Sequence, residues 1–170
     1  MALKPVHRWS DPLHVVALAV QQRQADRRAA TAADDSDDVF DGVWAVVDID
    51  THAHLLEAMS QAARNGIAVA ISGPCFETWL ILHLEDRTAE FSTPKAAKDH
   101  WVTLVGPAHA PEQGFTKIEG QFALAIRRAA ALTSRHEGNG IPRHRRNPSS
   151  EVGVLVATVC AEAGVDPDTL

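Results

Sequence analysis

Two aspartates, one residue apart, close the apolar run of "VWAVVDIDTH" at residues 43 to 52, and His52 follows them. Residues two apart in a strand face the same side, so Asp48 and Asp50 would project together where the strand ends. In open α/β sheets that carboxyl edge is where ligands bind. Paired hard oxygen donors suit Mg²⁺, or Mn²⁺ in its place, because Mg²⁺ needs few protein carboxylates when waters and substrate phosphates complete its shell. Such an ion activates water or neutralises charge in phosphoryl transfer. A second reading stands beside the first. Asp is common at strand ends, and Asp50 is placed to N-cap the following helix. Asp48 closes an apolar strand, where a carboxylate wants a partner or a cation.

A second chemical stretch, "SGPCFETWLILHLED" at residues 72 to 86, follows the next apolar run and so shares the same sheet edge. Gly73-Pro74 makes a sharp turn. Glu77 falls in the first turn of a helix, as either a dipole-favoured surface acid or a site carboxylate. Phe76 and His83, like Trp79 and His83, are spaced to share a helical face. Trp79, Leu80, Ile81, Leu82 and Leu84 read as core, His83 as a satisfied, partly buried histidine. No base accompanies Cys75, which reads as a packing residue and not a nucleophile. A third stretch, "RHEGNGIPRHRRNP", gathers Arg135, Arg143, Arg145 and Arg146 with two histidines. Arginines at this density either contact phosphates or form a solvated loop that balances the acidic "DDSDDVFDG". No aromatic residue is interleaved to stack on bases.

These residues need a scaffold. "VWAVVD" and "IAVAIS" read as buried strands joined by the helix "HAHLLEAMSQAARNG", with Leu55, Leu56, Met59, Ala62 and Ala63 inward and Gly66 as its C′ residue. That is a right-handed βαβ unit of a parallel sheet. Before it, "SDPLHVVALAVQQRQADRRAA" reads as a helix with Ser10 as N-cap and Pro12 in the first turn. After it come helices in "PCFETWLILHLED", "TPKAAKDHWVTLVG", "IEGQFALAIRRAAALTSRH" and "SSEVGVLVATVCAEAG", with "PAHAPEQGFTK" and "EGNGIPRHRRNPSS" as loops. The expected class is α/β: a small parallel sheet flanked by helices, with a helix-rich C-terminal half. Two or three strands are few for such a sheet.

The 170 residues fit one domain over 1–170, large enough to bury a core without staples. A net charge of −6 removes any global basic field, so nucleic-acid binding must rest on a local patch. Cys75 and Cys160 are the only cysteines and lack metal-ligand spacing, which points to a reducing compartment. No apolar run reaches membrane-spanning length, and "MALKPVHRWSDP" lacks a signal-peptide core. The expected location is cytoplasmic, without a membrane.

"DGVWAVVDIDTH", "NGIAVAISGPCFETWLILHLED" and the late "NPSSEV" together resemble the RloB-like proteins, from about Ser10 to the end of the last helix. These are bacterial proteins of restriction-modification loci, associated with phage defence and often found beside an AAA-type ATPase of the RloA kind. They are related to the Toprim fold of topoisomerases, primases and OLD-type nucleases, so the resemblance implies that the small sheet here is Toprim-like (Rossmann-like). The resemblance implies that Asp48 and Asp50 bind Mg²⁺ and that a metal-activated water attacks a phosphodiester, in DNA or RNA. Glu77 is then the remaining carboxylate for a third ligand or a base. Pro74, Cys75, Phe76, Trp79 and His83 match the block after the second strand, while Lys117 and Asn147-Pro148 match later positions. Lys117 joins Arg143, Arg145 and Arg146 as an expected phosphate contact.

This sequence also departs from the family's pattern. The asparagine before the block's proline is Gly73 here. The apolar N-terminal strand ending in a glutamate is not seen, so the chain is expected to be N-terminally truncated relative to the family. A late start, a shortened inactive member, or completion by another chain would each account for that. The other expected role is therefore a catalytically degenerate partner or regulatory module of the ATPase. Haloacid-dehalogenase-like phosphatases also place D-x-D after an apolar strand. They want Thr or Val two residues after the second Asp, where this chain has His52.

Overall fold

The computed structural model describes residues 11–34, 39–49, 54–106 and 111–170. They form two compact units. The N-terminal unit takes residues as far as Val47 and those from 54 to Val69. The C-terminal unit takes Asp48, Ile49 and Ala70–Leu170.

In the N-terminal unit, helix α1 (Pro12–Ala33) begins where Asp11 accepts a hydrogen bond from the Leu13 N–H, with proline at the first helical position. The cap is thus Asp11. Ser10, expected in that role, lies outside the described residues. Strand β1 (Trp44–Asp48) follows, then helix α2 (Leu55–Arg64). The core joins Val16, Ala45, Ala58, Ala62 and Ile67. Three expectations for apolar faces fail in this unit, Ala63 of α2 being exposed. Leu56 is 58% exposed and Val46 is 38% exposed, so β1 buries only its Ala45 and Val47 side. The buried positions of α2 are Leu55, Ala58 and Ala62, spaced three and four apart on one helical stripe that Leu56 falls outside. Gly66 is the C′ residue, at φ +64° in the left-handed region where glycine carries no Cβ penalty.

Strand β2 (Ala68–Gly73) leads into helix α3 (Glu77–Leu84). Helix α4 (Pro94–Val105) starts as expected, with the Thr93 hydroxyl accepting from the Ala96 N–H at 3.1 Å and Pro94 at the first position. Helix α5 (Pro111–Ile118) occupies sequence that reads as a loop. Ile118 at its end is 2% exposed and belongs to the core, so tertiary burial overrides the weak local signal of a Pro- and Gly-containing segment. Helix α6 (Phe122–Gly138), a two-residue strand β3 (Ser149–Ser150) and helix α7 (Val152–Ala163) complete the order. The main core of the C-terminal unit gathers Trp79, Ile81, Leu82, Phe91, Trp101, Val105, Ala125 and Leu132. Among the described residues no helix is long and apolar enough to cross a membrane.

The sheet has three strands in the order β1-β2-β3. Val43 accepts from the Ala68 N–H, and Ser72 accepts from the Ile49 N–H, so partners rise together in number as in a parallel pair. β3 runs antiparallel to β2, pairing Ser72 with Ser150 and Gly73 with Ser149. The class is α/β and helix-rich as expected, but the sheet is mixed. The third strand comes from the loop before α7, too short and too polar to signal a strand.

Candidate functional site

The carboxyl end of β1 delivers Asp48, and the β2–α3 turn delivers Cys75 and Glu77. The turn is tight because Gly73 has no side chain. A Cβ there would come 2.0 Å from the Arg146 carbonyl oxygen and 3.0 Å from the Ser149 hydroxyl. The asparagine of the family pattern therefore has no room at this position. The Gly73-Pro74 peptide bond is cis, as is Asn147-Pro148. The Thr78 hydroxyl donates to the Gly73 carbonyl at 3.0 Å and ties the turn to the first turn of α3.

Cys75 is buried, and its thiol donates to the Pro94 carbonyl at 3.6 Å. Burial pushes the thiol pKa far above its ordinary value, and the carboxylates of Glu77 and Asp48 push it further. Cys75 is therefore a protonated packing residue, within electrostatic reach of both carboxylates. The N-cap position of α2 falls on His54, four residues beyond Asp50, and His54 pairs with Asp11 at 2.9 Å. The cap expected at Asp50 falls outside the described residues, as do Thr51 and His52.

Asp48 and Glu77 are hard-oxygen donors that suit Mg²⁺. Among the described residues no group of three or more His, Cys, Asp or Glu is placed to hold a metal ion. The described donors of the expected set are these two carboxylates.

Within the basic loop Arg143 is exposed and Arg146 is buried. The Arg143 guanidinium makes a bidentate pair with Glu151, at 2.7 and 2.6 Å, and that hydrogen bonding raises the Arg143 pKa. Glu151 also accepts from the Ile71 N–H at 3.0 Å, so the pair is fastened to β2. Arg146 is 7% exposed and donates to the Ile141 carbonyl and to Glu137. Arg145 is exposed. Lys117 donates to the Val105 carbonyl at 2.8 Å, the last residue of α4, where a cation complements the helix dipole. The Asn147 amide brackets the backbone of Phe91, accepting from its N–H at 3.3 Å and donating to its carbonyl at 2.7 Å.

His83 is deeper than expected, at 1% exposure. Its Nδ1 lies 2.9 Å from the Trp79 carbonyl, its ring meets Trp79 and Phe122 edge-on, and its Nε2 has no partner among the described residues. Burial lowers its pKa, so the ring is neutral. Phe76 is 37% exposed and does not share that enclosure. The residues that sequence reasoning missed are Glu151 and the Ser72–Ser150 hydroxyl pair, 3.1 Å apart and buried. An acid opening α7 just after the arginine-rich loop was the available signal for Glu151.

With this geometry in place, the family model described as RloB-like protein matches residues 2–159. The chain belongs to the RloB-like family. No curated protein and no solved structure matches it.

Proposed function

We propose that the chain is a Toprim-like, Mg²⁺-dependent nuclease-related protein acting in bacterial defence against phage. The supporting observation is the placement of Asp48 at the end of β1 and of Glu77 at the start of α3 just after β2, with the charges of both carboxylates acting on Cys75. Asp48 and Asp50 would hold the ion, with Glu77 as third ligand or base. When bound, the ion would activate water for phosphodiester hydrolysis. The chain's own part would be to present Asp48 from the end of β1 and Glu77 from the start of α3, with Cys75 as a buried packing residue beside them.

The test is cleavage of plasmid DNA and of tRNA with Mg²⁺ or Mn²⁺, comparing wild type with Asp48→Ala, Asp50→Ala and Glu77→Gln. Loss of cleavage and of Mn²⁺ binding by electron paramagnetic resonance, in the two Asp variants, is the expected result. Equal activity in all four proteins sinks the metal-site reading.

A second reading, a non-catalytic module that partners an AAA-type ATPase of the RloA kind, draws on a different observation. Arg143, Arg146 and Lys117, expected on phosphates, are engaged by Glu151, Glu137 and the end of α4. Co-purification with an ATPase from the same locus, without metal-dependent cleavage, would favour it.

A further inference from the structure

The N-terminal unit carries a cleft of about 380 Å³ that the sequence motifs do not touch. It lies against α1 and the C-terminal end of α2 and is lined by Val20, Arg23, Gln24, Arg27, Arg64, Asn65 and Gly66. Three of these carry guanidinium groups and none is acidic, in a chain of net charge −6. None of the three arginines pairs with a carboxylate among the described residues. The nearby Asp26 accepts from the Phe40 N–H.

The arginines are not equivalent. Arg23 donates to the Asn65 and Gly66 carbonyls and so neutralises the negative end of the α2 dipole. Arg64 donates to the neutral Ser60 hydroxyl at 3.3 Å. Arg27 and Arg64 are exposed and bring to the cleft charge that has no carboxylate partner among the described residues. Like charges brought together repel, and an anion relieves that cost. The amides of Gln24 and Asn65 add hydrogen-bonding groups, while Val20 is the sole large apolar side chain in the lining. Charge and amides without an aromatic platform suit a phosphodiester backbone better than a base.

We infer that this cleft is a nucleic-acid phosphate-contact site, with Arg27 and Arg64 as the contacting residues and Arg23 as the residue that positions the end of α2. It shares its substrate class with the proposed function but requires neither the metal nor cleavage.

The test is fluorescence anisotropy of a labelled 20-nucleotide single-stranded DNA, and of its RNA counterpart, in EDTA across a salt series. Wild type is compared with Arg27→Gln/Arg64→Gln, Arg27→Lys/Arg64→Lys and Arg145→Gln. Each phosphate contact on a single strand contributes about 0.7 to the log–log salt slope. The Gln double variant should lose about 1.4 of slope, which corresponds to roughly 15-fold weaker binding near 0.15 M salt with 1 M as reference. The Lys variant should keep the slope, and both should melt like wild type. Unchanged binding and slope in the Gln variant would overturn the inference. So would an absence of wild-type binding, or loss confined to Arg145→Gln. Displacement of the oligonucleotide by an equal phosphate concentration of ATP or inorganic phosphate would overturn the assignment to a chain backbone. Failed cleavage with this binding intact counts against the nuclease reading alone.

Discussion

Asn147 offers the most closely determined test of the fold. Its amide makes two hydrogen bonds to the backbone of Phe91, a residue 5% exposed, across 56 positions of sequence. In Asn147→Ala both bonds vanish and two backbone groups lose partners where water has little access. Each bond is worth about 0.5–1.5 kcal/mol, and orphaned groups raise that figure, so the variant should lose about 2–3 kcal/mol. At about 2–4 °C per kcal/mol for a chain of this size, the Tm should fall by roughly 4–12 °C. Asn147→Asp separates the two bonds. An ionised carboxylate still accepts from the Phe91 N–H, but it meets the Phe91 carbonyl with a second oxygen instead of a donor. The charged form is disfavoured in the fold, so the folded pKa of the introduced carboxyl would rise above its unfolded value near 3.9. The protonated form donates to the carbonyl and restores the second bond. Stability relative to wild type should therefore be greatest below pH 4 and be lost as pH rises through the raised folded pKa. Urea denaturation of the three proteins from pH 3.5 to 7.5 measures this. A wild-type midpoint for Asn147→Ala, or a deficit in Asn147→Asp that does not shrink in acid, would refute the bracket.

Three further outcomes follow from the same geometry. Neutral, buried His83 has a lowered folded pKa, so its contribution is present above the unfolded value of about 6.5 and is lost as pH falls below it; His83→Gln should flatten the urea midpoint between pH 6.5 and 5, and an unchanged pH profile would count against burial of the neutral ring. Lys117→Met should cost about 1–2 kcal/mol through loss of the α4 end contact, with no change in the salt slope of oligonucleotide binding; a changed slope with intact stability would restore Lys117 to the phosphate contacts. Gly73→Asn should cost about 3 kcal/mol or more, because the obstructing atoms include the Arg146 backbone carbonyl; wild-type stability in a thermal melt would show that the turn can open.

The site divides between what local sequence carries and what it does not. The strand-ending aspartates, the Thr93-Pro94 helix start and the amphipathic course of α6 are properties of near neighbours in the chain, so they were legible. The start of α2 was less legible, since it falls at Leu55 and depends on packing Leu55, Ala58 and Ala62 into the core. The arginine-rich loop shows the same division. Density of charge is a local property, but the partner of each charge is not.

Residue types alone determined the family, the α/β class and the carboxylates available for chemistry, because motif spacing and apolar periodicity are written along the chain. Tertiary structure decided how the cations are used. Arg143 found Glu151 and Arg146 found Glu137 within their own unit, where hydrogen-bond geometry satisfies them. Arg27 and Arg64, 37 positions apart and unremarkable in sequence, came to line one cleft because α1 packs on α2. Charge is encoded residue by residue, whereas its compensation is a three-dimensional fact set by which surfaces the hydrophobic core brings together.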